Sequence, residues 1–357
     1  MPGIVDPRIA GSLVRSPIAM HPAAMDTKNL GTLGTTSAIS LGLMAMSDAY
    51  GPSDRAESVA TIHAALDAGI IMLDTGDFYG MGHNELLLGE ALRGRNRNGV
   101  QISVKFGGQR DPHGAFLGFD GRPAAVKTSL AYSPQRLGAD HIDVYRPARL
   151  DSAVPIEDTV GAIADMIQAG FVRHLGLSEV GAETIRRAHA VHPVSDLQIE
   201  YSLISRGIEG EILDTCRELG IGVTAYGVLS RGLISGHWTA DRESGADDFR
   251  ARSPRFSGDN LDRNLALVER LREVAAQLGV SVAQVAIAWV AAQGDDIVPL
   301  VGARTRQRLN EALGARDVRL TDEQLAAIES AVPKGSAAGD RYDTHQMALL
   351  DSERSRG

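Results

Sequence analysis

The sequence predicts an α/β fold, a closed (β/α)8 barrel of TIM type, and three observations carry that prediction. One grammar repeats along the chain: an amphipathic segment, a glycine, then a short apolar run. The repeats give about eight strands with about seven helices between them, the content of a barrel of roughly 250 residues. The Gly-x-Gly-x-x-Gly turn that would favour the competing doubly wound sheet is missing after the first strand.

Taken in order, residues 1–28 carry prolines and small polar residues but no continuous apolar stretch, and are expected to form a mobile extension rather than a secretory leader. The barrel is expected over 29–333, opening with a strand at 39–43. Val59, Ile62 and Leu66 stand at helical spacing before Gly69, and 70–73 follows as a strand. Strands are expected next at 100–104 and 142–145. Val160, Ile163 and Ile167 then precede Gly170 and a strand at 172–177. After a strand at 197–199, Ile208, Ile212, Cys216 and Leu219 precede Gly220 and a strand at 221–225, and 297–301 closes the set. Each glycine stands where a helix C-terminus favours a left-handed residue. Ser281 with Gln284 and Thr321 with Gln324 read as capping boxes of two late helices. Strands alternating with helices imply a parallel sheet with right-handed crossovers. Two long connections break the rhythm: 106–123, Gly-rich with Phe116 and Phe119, and the polar stretch 239–260. Each reads either as a functional lid or as a tolerated insertion. Residues 334–357 form a polar C-terminal tail.

The 357 residues are 43% hydrophobic and 23% charged with a formal net charge of -9, which argues against a protein that wraps nucleic acid. No apolar run approaches the roughly 18–20 residues of a membrane span. The single cysteine, Cys216, cannot form an intrachain disulfide and reads as a small core residue. A reducing, cytoplasmic setting is expected, and formation of a homo-oligomer is left open.

In a parallel barrel the chemistry sits at the C-terminal ends of the strands. Reading off the polar residues after each apolar run yields Asp74 and Tyr79, Lys105, Arg146 and Arg149, Ser178 and Glu179, Glu200 and Tyr201, Tyr226, and Gly302 with Arg304 and Arg308. Asp74, Tyr79 and Lys105 are the suggestive set. An ammonium eases proton transfer from a phenol that is otherwise a weak acid, and a carboxylate holds that ammonium in place. The product is a general acid able to protonate a forming alkoxide. Singly, each has a plainer reading: a turn cap, a packing tyrosine, a solvated strand end.

The stretch Leu73-Asp74-Thr75-Gly76-Asp77-Phe78-Tyr79-Gly80, with Ser103-Val104-Lys105-Phe106-Gly107, Gly176-Leu177-Ser178, Gln198-Ile199-Glu200-Tyr201 and Tyr226 through Leu233, resembles the aldo-keto reductases. The resemblance runs from about residue 30 to about residue 330. It implies Tyr79 as proton donor, Lys105 as its charged helper and Asp74 as the partner of that lysine. It further implies that Ser178 and Gln198 hold a nicotinamide carboxamide and that Tyr226 stacks on the ring. Leu229, Arg231 and Gly232 would approach the pyrophosphate, and Gly302, Arg304, Arg308 and Glu311 the adenosine end. Two arginines there suit a 2′-phosphate, so NADPH (NADP+) is expected over NADH. Met44, Ala148, His113 and Phe116 are expected to line the pocket of a small carbonyl substrate.

The sequence also departs from the family. Where a His-Arg-x-Asp run usually follows the fourth strand, this chain has Ala148-Arg149-Leu150-Asp151, so Ala148 replaces a histidine that helps orient the carbonyl. Three consequences stand open: a roomier pocket for a bulkier substrate, a substitute donor such as His113 or a water, or weak turnover. Glu179 and Ala312 replace asparagines that touch the cofactor, and Gly227-Val228 replaces a Ser-Pro pair; the first two are expected to weaken cofactor binding. His189 and His192, three apart, read as a solvated helix face, and no metal site is expected. The expected function is NADPH-dependent reduction of an aldehyde or ketone; the alternative is a cofactor-binding regulatory subunit with little turnover, and a phosphate-binding isomerase is disfavoured because it leaves Gln198 and Tyr226 without a role.

Overall fold

The computed structural model describes residues 25–242, 245 and 248–354. The barrel is closed by eight parallel strands: β1 (Ser40–Gly42), β2 (Met72–Gly76), β3 (Gln101–Phe106), β4 (Ile142–Pro147), β5 (Val172–Ser178), β6 (Val194–Glu200), β7 (Gly222–Tyr226) and β8 (Ile297–Gly302). Each pairs with its sequence neighbour, and β8 returns to β1 through Leu300–Ser40 and Gly302–Gly42. Outside run α1 (Arg55–Asp67), α2 (His83–Leu92), α3 (Pro123–Leu137), α4 (Ile156–Gln168), α5 (Ala182–Val191), α6 (Glu211–Glu218), α7 (Gly258–Leu278), α8 (Val282–Ala291), α9 (Arg306–Leu313) and α10 (Asp322–Ala331).

All eight expected strands are present. The glycines after α1, α4 and α6 adopt φ of 88°, 85° and 67°, as the helix ends require. Both capping boxes form, with Ser281 Oγ and Thr321 Oγ1 accepting from the backbone N–H of Gln284 and Gln324. Two boundaries shift most: β6, expected at 197–199, begins at Val194, and β2, expected at 70–73, runs over Met72–Gly76. Ile70 is still closing the preceding helix, its N–H donating to Ala65 O at 3.0 Å, and the ladder runs on through Asp74 to Gly76. Apolar runs underestimate barrel strands because their last inward positions are polar: Asp74, Lys105, Arg146, Ser178 and Gln198 all lie within strands.

The floor is sealed by an antiparallel pair, Thr27–Asn29 with Thr35–Ser37. Its turn drives Leu30 against Met72 and Val298, into space that Gly222 leaves open: a Cβ there would stand 2.4 Å from Leu30 Cδ1. Above the floor the interior is polar. Arg146 Nη2 donates to both oxygens of Asp196 at 2.9 and 3.0 Å, and Thr224 Oγ1 donates to the same carboxylate at 2.5 Å, all fully buried.

Two regions go beyond the sequence reading. Connection 106–123 is a small hairpin, Gly108–Arg110 paired antiparallel with Phe116–Phe119. The tail folds back over the barrel: Ala338 exchanges hydrogen bonds with Asn264 at 2.8 and 2.9 Å, and Asp351 Oδ2 accepts from Gly181 N–H at 2.9 Å. The expected extension 1–28 lies, up to residue 24, outside the described residues. Among the described residues no single helix is long and apolar enough to cross a membrane; α7 and α8 pass only as a pair bent by 86°.

Candidate active site

Asp74, Lys105 and Tyr79 meet at the mouth. Lys105 is ion-paired with Asp74 Oδ1, and the other carboxylate oxygen accepts from Ser103 Oγ at 2.7 Å and from Gln198 Nε2 at 2.8 Å. Gln198 comes from β6, across the barrel from β2, so Asp74 is bound from two other strands at once, β3 and β6. The Lys105 ammonium lies 5.2 Å from the centroid of the Tyr79 ring. Burial lowers the Lys105 pKa and the Asp74 carboxylate works against that shift. Burial, followed by the Asp74 carboxylate, raises the Tyr79 phenol well above its ordinary value. The ammonium was expected to ease phenol ionisation; Asp74 already pairs that charge, and the phenol keeps its proton.

Around the trio, Arg149 Nη1 donates to Ala148 O at 2.6 Å and reaches Ser178 Oγ at 3.5 Å. Tyr226, at the end of β7, donates its hydroxyl to Glu179 Oε1 at 2.7 Å and lies 2.8 Å from the Tyr342 hydroxyl. Glu179 is fully buried at φ 55°, a strained conformation for a non-glycine residue. Arg341 grips it with two hydrogen bonds of 2.8 and 2.7 Å, and Ser352 Oγ adds another at 2.8 Å. Burial opposes the Glu179 charge, but Arg341 and then Arg149 outweigh it and hold the carboxyl far below the usual range. Glu179 therefore anchors the tail, a role different from the weakened cofactor contact expected of it.

The loop after β7 carries positive φ at Ser230 (45°), Arg231 (57°) and Gly232 (96°). At Gly232 the nearest neighbour a Cβ would meet is Arg250 Nη1 at 3.8 Å, so the loop surface is open to close approach. Leu229 is partly buried at its start, and Arg231 bonds Arg341 O at 2.7 Å and pairs with Glu200 at 3.4 Å. Beyond lies an arginine group that the sequence reading only half identified. Arg250 and Arg242 stack on Trp238 at 4.7 and 4.5 Å. Burial and then the repulsion of Arg250 lower the pKa of Arg304 and of Arg242, which Arg304 and Arg308 repel as well.

Four guanidiniums thus crowd two contacting carboxylates: Asp248 on Arg250, and Glu311 on Arg308 at 3.0 Å. Arg304 and Arg308 take separate partners. Arg304 Nη1 donates to the carbonyls of Tyr50, Gly51 and Pro52, while Arg308 pairs with Glu311, which His237 also contacts at 2.9 Å. Gly302 is exposed at the end of β8.

The pocket expectations need correction. Ala148 is 1% exposed, so the loss of the histidine opens no free space there. His113 is exposed at the hairpin turn, with its backbone N–H on Asp111 Oδ1, and its contacts among the described residues do not include the trio. Phe116 is 39% exposed and packs edge-on against Phe119, not on Tyr79. The hairpin residue that bears on the site is Gly108, against the ring of Phe78, which itself packs edge-on against Tyr79 at 4.9 Å. Met44 is partly buried at the start of the turn after β1. Sequence reasoning missed Tyr50, Arg250, Arg341 and Tyr342. Nothing local marks them, because their partners lie as much as 254 residues away.

The sequence profile of the aldo/keto reductase family matches residues 38–333. A probable aldo-keto reductase of Glycine max is 39% identical over 329 residues, covering 90% of this chain and 93% of its own. The glycerol dehydrogenase of Gluconobacter oxydans superposes with a TM-score of 0.78 at 31% identity, over 87% of this chain and 95% of that one. An aldo-keto reductase of Bacillus halodurans, solved in its holo form, shares the fold with a TM-score of 0.71 at 24% identity, over 90% of this chain and 99% of that one. The chain belongs to the aldo/keto reductase family, oxidoreductases that use a nicotinamide cofactor on small carbonyl compounds.

Proposed function

We propose that this chain reduces an aldehyde or ketone to the alcohol, with NADPH as reductant and Tyr79 as proton donor. The observation that carries the reading is the buried Asp74–Lys105 pair beneath a phenol that holds its proton. The residues present fit the cofactor. The crowded arginines 242, 250, 304 and 308 form a seat for a polyanion, since an anion relieves their mutual repulsion. The open turn Leu229–Arg231–Gly232 suits a pyrophosphate, and Ser178, Gln198 and Tyr226 suit the nicotinamide end. When bound, the cofactor supplies the hydride. The chain's own residues do the rest: as the carbonyl carbon gains the hydride, its oxygen takes the Tyr79 Oη proton. Lys105 offsets the phenolate charge that this leaves, and Asp74 keeps Lys105 in position.

The test is a fluorescence titration with NADPH followed by its oxidation against a panel from small aldehydes to bulky ketones. Tyr79→Phe is expected to lower kcat by at least about 10³-fold with the NADPH dissociation constant little changed. Unimpaired turnover by Tyr79→Phe would overturn the assignment. Tight NADPH binding with no turnover on the whole panel would instead favour a regulatory subunit. The arginine seat makes its own prediction: Arg304→Ala and Arg308→Ala should weaken NADPH binding at least tenfold and leave NADH binding nearly unchanged, measured by the same titration.

A further inference from the structure

The structure holds a cation at the mouth that the reaction above does not use. Arg149 follows Ala148 directly, and its guanidinium turns back over it. One nitrogen bonds Ala148 O at 2.6 Å and reaches Ser178 Oγ at 3.5 Å, while the other donates to the Tyr342 hydroxyl at 3.3 Å. Among the described residues all of these hydrogen-bond acceptors are neutral oxygens. The nearby carboxylate, Glu179, is already gripped from its other side by both terminal nitrogens of Arg341. Glu179 shares its electrostatic support with Arg149 but takes no hydrogen bond from it, so Arg149 has N–H groups out of its five to give to something else.

Tyr342 is placed with equal care. Its ring lies 4.4 Å beneath the Arg231 guanidinium, its hydroxyl is 2.8 Å from that of Tyr226, and the preceding residue, Arg341, is the one clamped on Glu179.

We propose, resting on the carbonyl-reductase reading above, that Arg149, steadied by the Tyr342 hydroxyl, orients and polarises the substrate carbonyl, doing the work of the histidine replaced by Ala148. The tail then completes the site instead of merely covering it. Two further observations agree. Burial opposes the Arg149 charge and the Glu179 carboxylate supports it, and a guanidinium stays a cation at any working pH. Arg149 and Tyr342 both act electrostatically on the Tyr79 phenol, Arg149 lowering its pKa and Tyr342 raising it. A guanidinium also delivers donors in a fixed plane, which an imidazole does through one edge only. Neither His113 nor an enlarged pocket at Ala148 is needed.

The experiment uses the full-length chain with NADPH and the best substrate of the panel. Arg149→Ala should lower kcat by about 10²–10³-fold, the range for losing one positioned donor to a developing oxyanion. NADPH affinity by fluorescence should stay within about threefold, and millimolar guanidinium chloride should restore at least tenfold of the lost rate. Tyr342→Phe, which removes one oxygen and leaves the packing, should lower kcat about tenfold without changing NADPH affinity. A kcat within threefold of the parent in both variants would overturn the proposal. So would a loss in Arg149→Ala that tracks falling NADPH affinity and is not rescued by guanidinium, since that marks a cofactor-binding arginine. Tyr79→Phe, run beside them, separates the two levels: activity retained there sinks the proton-donor reading, whatever the Arg149 result.

Discussion

Asp77 stands two residues before Tyr79, its backbone N–H held by Lys105 O at 2.9 Å, so its charge state bears on the loop that presents the phenol. Burial first, and the neighbouring Glu85 carboxylate second, push its carboxyl up to about 7. An unfolded aspartate titrates near 4. Between those values the folded chain holds a proton that the unfolded chain has released, so this group's contribution to stability falls as pH rises from about 4 to 7 and is level above that. Asp77→Asn removes the titration. The difference in melting temperature between Asp77→Asn and the parent should grow in favour of the variant from pH 5 to pH 8. A flat difference would show that Asp77 is already ionised when folded. The same motif shows what local sequence carries. Asp74, Tyr79 and Lys105 were readable because they close apolar runs, and a barrel puts strand ends at one mouth. The Asp77 shift was not readable, since it depends on Glu85 in α2 facing the same buried space.

At the scale of elements, the tail is the part with the most to lose. Its short helix Thr344–Met347 and the turn Asp351–Glu353 are held to the barrel through Arg341, which contacts Glu179, Glu200 and Glu353. Removing one partner of a buried ion pair costs about 3–5 kcal/mol because the other charge is stranded. Arg341→Gln should therefore lower the melting temperature at neutral pH and expose the tail to limited proteolysis. The melting deficit should narrow in acid, where the stranded Glu179 takes up a proton. Proteolytic resistance equal to the parent would show that Arg341 does not hold the tail. Nothing in 334–357 betrayed this role in the sequence. Arg341 and Tyr342 look like any polar tail residues, and their partners are 162 and 116 positions away. The Gly108–Phe119 hairpin escaped for a related reason: its strands are three and four residues long, too short for an alternating pattern to emerge.

For the molecule as a whole, helix–glycine–strand grammar was enough to specify the barrel, since each unit packs on its neighbour and closure follows from their number. What the grammar could not specify is the inside of the cylinder, where side chains from distant strands meet. Arg146 was read as a mouth residue and is instead buried midway, paired with Asp196 between β4 and β6. Asp196→Asn should cost about 3–5 kcal/mol by chemical denaturation, with the far-ultraviolet spectrum kept, because it strands a guanidinium whose Nε and Nη1 already have no hydrogen-bond partner among the described residues. A loss under about 1 kcal/mol would mean that the pair contributes no more than an exposed one.

The bond from Gln198 to Asp74 ties opposite walls of the barrel, residues 124 positions apart. On the proposed reading this amide also serves the carboxamide, through the N–H and the Oε1 that Asp74 does not take. Docking at the nicotinamide end then adds neutral hydrogen bonds worth only about 0.5–1.5 kcal/mol each. The affinity has to come from the far end, where an anion quiets the arginines. Such a protein should hold fragments bearing the phosphates of its cofactor far more tightly than nicotinamide itself, and should loosen its grip on both NADPH and those fragments as salt is raised.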